Sequence, residues 1–196
     1  MTTTIIVPGL DGSATPHWQD WWARTDPNAI MVEFDDPHRP APERDEAKLA
    51  GMILRHPGSI LVGHSLGSVL IARMLARWPD LRIGAAMLVA PANPASSERL
   101  SRFDPLPESR FDIPAVVVAS HDDPWMTFAQ AGYLAGRWGA DLLDLGHVGH
   151  INVASGFGPW PGGKLIRDWL EEKAQATPMI AAGLSRHQPQ PALARH

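Results

Sequence analysis

The feature of this sequence that most constrains its fold is a regular alternation of short apolar runs with longer segments of helical periodicity. The apolar runs are almost continuous, as in AVVVA at residues 115–119, and do not alternate with polar residues. This pattern is typical of strands that helices cover on both faces of a parallel sheet. We therefore predict strands at residues 4–7, 30–34, 59–62, 84–89, 115–119 and 141–145. Helices are predicted near residues 16–24, 42–56, 66–78, 96–106, 125–138 and 163–173.

Such a β-α-β alternation predicts an α/β domain, with an open, mostly parallel sheet and helices on both of its faces. The chain of 196 residues is long enough for one domain with a sizeable core, which we place at residues 1–173. Residues 174–196 are rich in Ala, Pro, Gln and His and show no core pattern, so we predict a flexible C-terminal tail. In a sheet of this kind, functional groups gather at the carboxyl ends of the strands.

Charge and composition narrow the classes of partner. The formal charge of −4 and the lack of any run of Lys or Arg argue against nucleic acid or an anionic membrane as the main partner. The sequence has no cysteine, which excludes disulfides and thiolate chemistry. Its start carries no basic leader followed by a long apolar segment. We therefore expect a cytoplasmic protein that acts on a small molecule, and no protein partner can be named.

The stretch ILVGHSLGSVLIARML, residues 60–75, changes from a buried strand to a buried helix at Gly63-His64-Ser65-Leu66-Gly67. A Gly-x-Ser-x-Gly sequence in this context predicts the nucleophile elbow of α/β-hydrolases, a tight turn that exposes the serine hydroxyl. The amides at the start of the helix would favour a negative charge developing there. Ser65 is therefore the candidate nucleophile. The alternative is that Ser65 serves only as the N-cap of an ordinary helix.

A serine nucleophile requires a base and an acid that orients the base. The acid and the histidine follow the serine in this order in the α/β-hydrolase chain. Asp122 and Asp123 come just after the strand at 115–119, and His147 and His150 come just after the strand at 141–145. We favour Asp123 and His150, with Asp122 and His147 as the alternatives. Both aspartates could instead cap the helix that is predicted to follow them.

Two backbone amides are expected to form an oxyanion hole. One is that of Leu66, directly after the nucleophile, and the other is that of Leu10, in the glycine-rich loop after the first strand. This loop does not match the G-x-G-x-x-G pattern of dinucleotide-binding turns, so we expect no nucleotide cofactor. His121, Asp122, His147 and His150 offer only a weak alternative as a metal site. We therefore predict neither cofactor nor metal.

Apolar side chains near the strand ends are candidates for an acyl pocket, or for ordinary core packing: Trp125, Met126, Phe157 and Trp160. The connections are short and leave little room for a lid domain, which favours an open site and small acyl substrates. The rival prediction is a binding or regulatory protein that keeps a hydrolase scaffold with little activity, because a fold alone does not confer a function.

Several motifs together resemble the small α/β-hydrolases grouped with retinoblastoma-binding protein nine and its bacterial, YdeN-like relatives. They are Val7-Pro8-Gly9, His17-Trp18, Gly63-His64-Ser65-Leu66-Gly67, Asp122-Asp123-Pro124, Gly149-His150-Ile151-Asn152 and Trp160-Pro161. The resemblance implies a six-stranded sheet of order 2-1-3-4-5-6 without a lid, and a serine esterase with Ser65, Asp123 and His150 as its triad. In the turn that carries the acid of the triad, a proline usually stands four residues after the aspartate. Thr127 occupies that position here, and this departure weakens the choice of Asp123 over Asp122.

Overall fold

The parallel sheet lies between two layers of helices in the computed structural model, which describes residues 2–176. The strands are β1 (Thr4–Val7), β2 (Ala29–Met31), β3 (Ser59–His64), β4 (Ile83–Val89), β5 (Ala115–Ala119) and β6 (Asp141–Asp144). The helices are α1 (Trp18–Thr25), α2 (Pro42–Arg55), α3 (Leu66–Arg77), α4 (Phe128–Trp138) and α5 (Pro161–Ala176). Short 3₁₀ helices span Pro94–Ser96, Glu98–Phe103 and Val153–Ser155.

The sheet has the order β2-β1-β3-β4-β5-β6, and every neighbouring pair is parallel. The predicted fold class and strand order are therefore confirmed. The chain starts near the centre of the sheet, moves to the edge at β2, and returns across β1 to the other side. This reversal places the loop after β1 beside the loop after β3, at the carboxyl edge of the sheet.

Alternate residues of each strand enter two separate cores. Ile5, Val7 and Leu61 belong to the core beneath α2, α3 and α4, whereas Ile6 and Val62 belong to the core beneath α1 and α5. Both cores are lined by apolar side chains, which explains why the strand sequences read as nearly continuous hydrophobic runs. The second core is rich in tryptophan, because α1 contributes Trp18, Trp21 and Trp22 and the loop before α5 adds Trp160.

Three predicted helices differ from the observed ones in type or by more than two residues at one end. The helix predicted from residue 125 begins at Phe128, because the Thr127 side chain caps it by accepting a hydrogen bond from the Gln130 amide. The helix predicted at 163–173 runs from Pro161 to Ala176 and so includes the first residues of the predicted tail. The remaining tail, 177–196, lies outside the described residues. The segment predicted as a helix at 96–106 forms two 3₁₀ helices.

Among residues 2–176, none of the helices combines the length and the apolar composition that a membrane span requires.

Candidate active site

Ser65 occupies a strained turn between β3 and α3. Its backbone has φ 54° and ψ −119°, a conformation that side-chain-bearing residues rarely adopt. A Cβ on Gly63 would lie 2.6 Å from the Ser68 amide nitrogen, and a Cβ on Gly67 would lie 2.0 Å from the Val7 carbonyl oxygen. Only glycine fits at both positions, because the colliding atoms belong to the backbone. The turn therefore explains the Gly-x-Ser-x-Gly spacing on steric grounds.

The Ser65 side chain does not cap α3, so it makes no local hydrogen bond of the kind that the N-cap alternative requires. Its amide donates a hydrogen bond to the Val89 carbonyl at 3.0 Å, which fixes the turn against β4. The residue is 8 % exposed. Its hydroxyl is thus held at the end of a helix, inside a cleft, and available to a ligand.

Two backbone amides beside Ser65 are unoccupied. Within residues 2–176, neither the N–H of Leu66 nor that of Leu10 donates a hydrogen bond. Free amides at the first turn of a helix carry part of the positive end of its dipole. Both residues line the surroundings of the serine: Leu66 follows it directly, and Leu10 lines the same cleft. These are the two amides that the sequence predicts for an oxyanion hole.

The structure brings His150 and Asp123 into direct contact. Nδ1 of His150 lies 2.9 Å from Oδ1 and 2.9 Å from Oδ2 of Asp123. Their side chains are only 8 % and 4 % exposed, so the pair is largely removed from water. The amide of Trp125 also donates to Oδ1 of Asp123, at 2.9 Å, and fixes the carboxylate. Since Asp123 takes Nδ1, the other ring nitrogen of His150 remains for a different partner.

The loop that carries His150 is held on several sides. Nε2 of His64 contacts the His150 carbonyl oxygen at 2.9 Å, and the His150 amide donates to Oγ of Ser155 at 3.0 Å. The next residue, Ile151, is buried and has φ 51°, and its carbonyl accepts a hydrogen bond from Nε1 of Trp18 at 2.9 Å. These bonds fix the backbone on both sides of the imidazole. The ring is therefore positioned by the fold and does not depend on a substrate for its orientation.

The alternative acid and base lie elsewhere. Asp122 is exposed, and its Oδ1 accepts hydrogen bonds from Oγ of Ser120 at 2.7 Å and from the Gly149 amide at 2.8 Å. These two bonds lower the pKa of Asp122. Asp122 thus links the loop that carries His150 to the end of β5 through hydrogen bonds. His147 stacks on His121, with ring centroids 5.2 Å apart, and is not among the residues that line the cleft of Ser65.

No set of three potential metal-binding side chains converges within the described residues. His121 instead contacts Asp144 through Nε2 at 2.8 Å and stacks on Phe128. The weak alternative of a metal site built from His121, Asp122, His147 and His150 has no geometric support, because Asp122 and His150 are committed to separate partners.

The cleft above Ser65 has a volume of about 210 Å³. Its walls combine apolar residues with polar ones, and it is lined by Gly9, Leu10, Asp11, Gly12, His17, His64, Ser65, Ala92, Leu100, Trp125, His150 and Asn152. Among the predicted pocket residues, Trp125 lines this cleft. Met126 is buried in the core beneath α4, and Phe157 and Trp160 pack on the aromatic core of α1, with Trp160 5.2 Å from Trp18. These three residues therefore lie outside the cleft: Met126 is taken up by the core beneath α4, and the loop after β6 carries Phe157 and Trp160 back over α1.

Two buried histidines flank the site and were not predicted as functional residues. The rings of His17 and His150 each lie 4.9 Å from the ring of His64. Burial, with a contribution from the charge of His150, lowers the pKa of His17 to about 4 and that of His64 well below its usual value. Both rings are therefore neutral near pH 7. The sequence could have pointed to both histidines, since His64 directly precedes the candidate nucleophile and His17 belongs to the His17-Trp18 motif.

Opposite charges meet at the rim of the cleft. Arg99 contacts Asp11 with two nitrogens, at 3.1 and 2.6 Å, and Nδ1 of His38 lies 2.8 Å from the same carboxylate. The bond from Arg99 is the main reason that the pKa of Asp11 falls to about 2. The Asp11 carboxylate is thus an acceptor that is already engaged by its neighbours.

Comparison with known proteins supports the fold and the type of site. The model of a family described as serine hydrolase matches residues 4–168. Among solved structures, a protein described as a YdeN-like hydrolase from Pectobacterium atrosepticum is 32% identical, with a TM-score of 0.81 over 89% of this chain and 92% of that one. No curated protein matches this sequence.

More distant structures show the same fold. The ydeN gene product of B. subtilis is 24% identical, with a TM-score of 0.74 over 88% of this chain and 100% of that one. Est1E from Butyrivibrio proteoclasticus, solved with ferulic acid bound, is 11% identical, with a TM-score of 0.68 over 89% of this chain and 88% of that one. The family match and the 32% identical neighbour agree, and this chain belongs to the serine hydrolase family as a YdeN-like member.

Proposed function

We propose that this protein is a carboxylesterase that uses Ser65, His150 and Asp123 as a catalytic triad on small acyl esters. The observation that carries the proposal is the buried contact between Asp123 and Nδ1 of His150, in the same cleft as the strained Ser65. A carboxylate on one imidazole nitrogen leaves the other nitrogen free to accept the serine proton.

The proposed reaction proceeds in two steps. His150 accepts the proton of Ser65 as its Oγ attacks the ester carbonyl, and the amides of Leu10 and Leu66 hold the oxygen that becomes negative. The protonated His150 then gives its proton to the departing alcohol, which leaves an acyl group on Ser65. Water attacks this acyl-enzyme, with His150 again accepting a proton, and the carboxylic acid is released as Ser65 recovers its hydroxyl.

The size of the cleft supports small substrates. A volume of about 210 Å³ accommodates a short acyl or alcohol group but not a long acyl chain. Leu10, Ala92, Leu100 and Trp125 provide apolar walls beside the serine. We therefore expect the specificity constant to be highest for short acyl chains and to fall as the chain outgrows the cleft.

A fluorophosphonate probe tests the proposal directly. The folded protein is expected to take up one probe molecule at Ser65 and to hydrolyse p-nitrophenyl acetate and butyrate, and Ser65→Ala is expected to lose both properties, with a fall in kcat/KM of at least about 10³-fold. Ser96→Ala, at an exposed serine of a 3₁₀ helix, is the matched control and should keep both. A folded chain that neither binds the probe nor hydrolyses any ester of the series would refute the proposal and favour a binding role for this scaffold.

A further inference from the structure

His17 presents an unused hydrogen-bond donor to the cleft. The residue is the N-cap of α1, and its Nδ1 accepts a hydrogen bond from the Gln19 amide at 3.1 Å. Since Nδ1 is the acceptor and the ring is neutral, the proton of the imidazole is on Nε2. Among the residues that the structure describes, this Nε2–H has no partner, although the side chain is only 6 % exposed and lines the cleft.

This donor is not sealed inside the protein, because among the described residues the only buried side-chain polar atom without a partner is Oγ of Ser59. The Nε2–H of His17 is therefore open to the cleft that the residue lines, where a ligand can accept its hydrogen bond. Helix capping does not require this donor, because the cap uses only Nδ1 and a serine or asparagine would cap α1 equally well. The ring is also held firmly, packed on His64 at 4.9 Å and on Trp18 at 5.5 Å. His17 is therefore built to present Nε2–H in a fixed direction.

The rest of the cleft has donors in excess of acceptors. Oδ1 of Asn152 accepts hydrogen bonds from the amide and from Oγ of Ser155, at 3.1 Å each, which leaves its NH₂ group as a second donor at the cleft wall. The carboxylate of Asp11 is engaged by Arg99 and His38. A ligand that matches this cleft supplies acceptor oxygens, and not donors alone.

We propose that His17 donates a hydrogen bond from Nε2 to an acceptor oxygen of the substrate other than the reacting carbonyl, and so selects esters that carry such an oxygen over their alkyl isosteres. The inference rests on the proposed function, because it concerns the substrate of the same site. The oxygen can belong to the acyl group or to the alcohol group, and two pairs of isosteric esters distinguish these sources.

The experiment compares each oxygen-bearing ester with the ester that has a methylene in its place. The acyl pair is p-nitrophenyl methoxyacetate and p-nitrophenyl butyrate, and the alcohol pair is 2-methoxyethyl butyrate and butyl butyrate. The ratio of kcat/KM within each pair is measured for the wild type and for two variants. His17→Asn keeps the helix cap but shortens the donor, and His17→Phe keeps the ring shape but has no donor. Comparing ratios between proteins cancels the intrinsic reactivity of the esters.

We expect the ratio to fall about tenfold in both variants for one of the pairs, which is the size of effect expected for one neutral hydrogen bond. His56→Asn, at the C-terminal end of α2 beside the opposite edge of the sheet, is the matched control and should leave both ratios unchanged. A fall in the acyl pair assigns the oxygen to the acyl group, and a fall in the alcohol pair assigns it to the alcohol.

Unchanged ratios in both pairs, or an equal fall for both members of a pair, would overturn the inference and leave His17 a structural role. If the wild type hydrolyses none of the four esters, the proposed function fails and the inference falls with it. If the His17 variants do not fold, a measurement on the wild type still tests the inference. The ¹H–¹⁵N signal of Nε2–H of His17 should move downfield after Ser65 reacts with a phosphonate bearing a methoxyethyl or methoxymethyl arm. It should not move with the matching alkyl arm, and an equal response to both arms would contradict the proposal.

Discussion

Replacing Asp123 by Asn tests the proposed triad most sharply, because the neighbouring Asp122 provides a matched control in the same loop. The change is isosteric and removes one negative charge beside the imidazole of His150. In the structure, both carboxylate oxygens lie 2.9 Å from Nδ1, and one of them also accepts the Trp125 amide. In the variant, the amide oxygen will take the Trp125 N–H, which turns the NH₂ group toward His150.

The expected loss has two parts. A carboxylate and an imidazolium about 4 Å apart attract by about 4 kcal/mol at an effective dielectric constant of about 20, which is a factor of about 10³ in rate. An NH₂ group beside Nδ1 also favours the tautomer with its proton on Nε2, which cannot accept the proton of Ser65. We therefore expect kcat of Asp123→Asn to fall by about 10³ to 10⁴.

The assay is hydrolysis of p-nitrophenyl butyrate, with near-ultraviolet circular dichroism of the tryptophans to verify the fold. Asp122→Asn should lose less than about tenfold, because Asp122 is exposed and only fastens the histidine loop through Gly149 and Ser120. Equal losses in the two variants, or a larger loss in Asp122→Asn, would refute the assignment of Asp123 as the residue that orients His150.

Three further predictions concern the stability of the fold, each measured by urea unfolding followed through tryptophan fluorescence. Gly67→Ala should unfold at a markedly lower urea concentration or fail to fold, because its Cβ would lie 2.0 Å from the Val7 carbonyl oxygen; wild-type stability would contradict the steric argument. Ser59→Ala should be neutral or stabilising by up to about 1 kcal/mol, because the Ser59 hydroxyl is buried without a partner, whereas Ser68→Ala should destabilise by about 1 kcal/mol, because it breaks a hydrogen bond to a carbonyl. Burial lowers the pKa of His17 to about 4, so between pH 6.5 and pH 4 the unfolded chain binds a proton there that the folded chain does not. Stability is therefore lost as the pH falls through this window, by about 2.5 kcal/mol at pH 4.5 from this residue, and an identical pH slope in His17→Asn would contradict the linkage.

The sheet was predictable from the sequence because its four inner strands, β1, β3, β4 and β5, are buried on both faces. Continuous apolar runs and a tight Gly-x-Ser-x-Gly turn leave few alternatives to a parallel sheet with a strained elbow, and the observed strand order is the one that the motifs imply. The helix after β5 was predicted to begin too early. Its start depends on which polar residue provides the cap, and four candidates, Asp122, Asp123, Ser120 and Thr127, precede it within a few residues.

The cleft was harder to predict than the strand ends, because its lining depends on how two loops fold over the sheet. Phe157 and Trp160 follow the histidine loop closely in sequence, but this segment turns back and packs on Trp18 and Trp22. The donor of His17 is likewise invisible in the sequence, because a histidine before a helix is equally consistent with an exposed cap. Only the packing of His17 on His64 reveals that the ring faces the cleft.

Two of the positive φ angles near the site, those of Ser65 and Ile151, explain why so many interactions converge there. Ser65 and Ile151 both adopt a backbone conformation that disfavours side chains, and such strain persists only where the surroundings over-determine it. Ser65 is held by the bond of its amide to β4, and Ile151 by burial of its side chain and by the indole of Trp18. His64 joins the two strained turns, because it precedes Ser65 in the chain and bonds to the carbonyl of His150. The positions of Ser65 and His150, the proposed nucleophile and base, are therefore fixed relative to each other by contacts with the sheet and with α1.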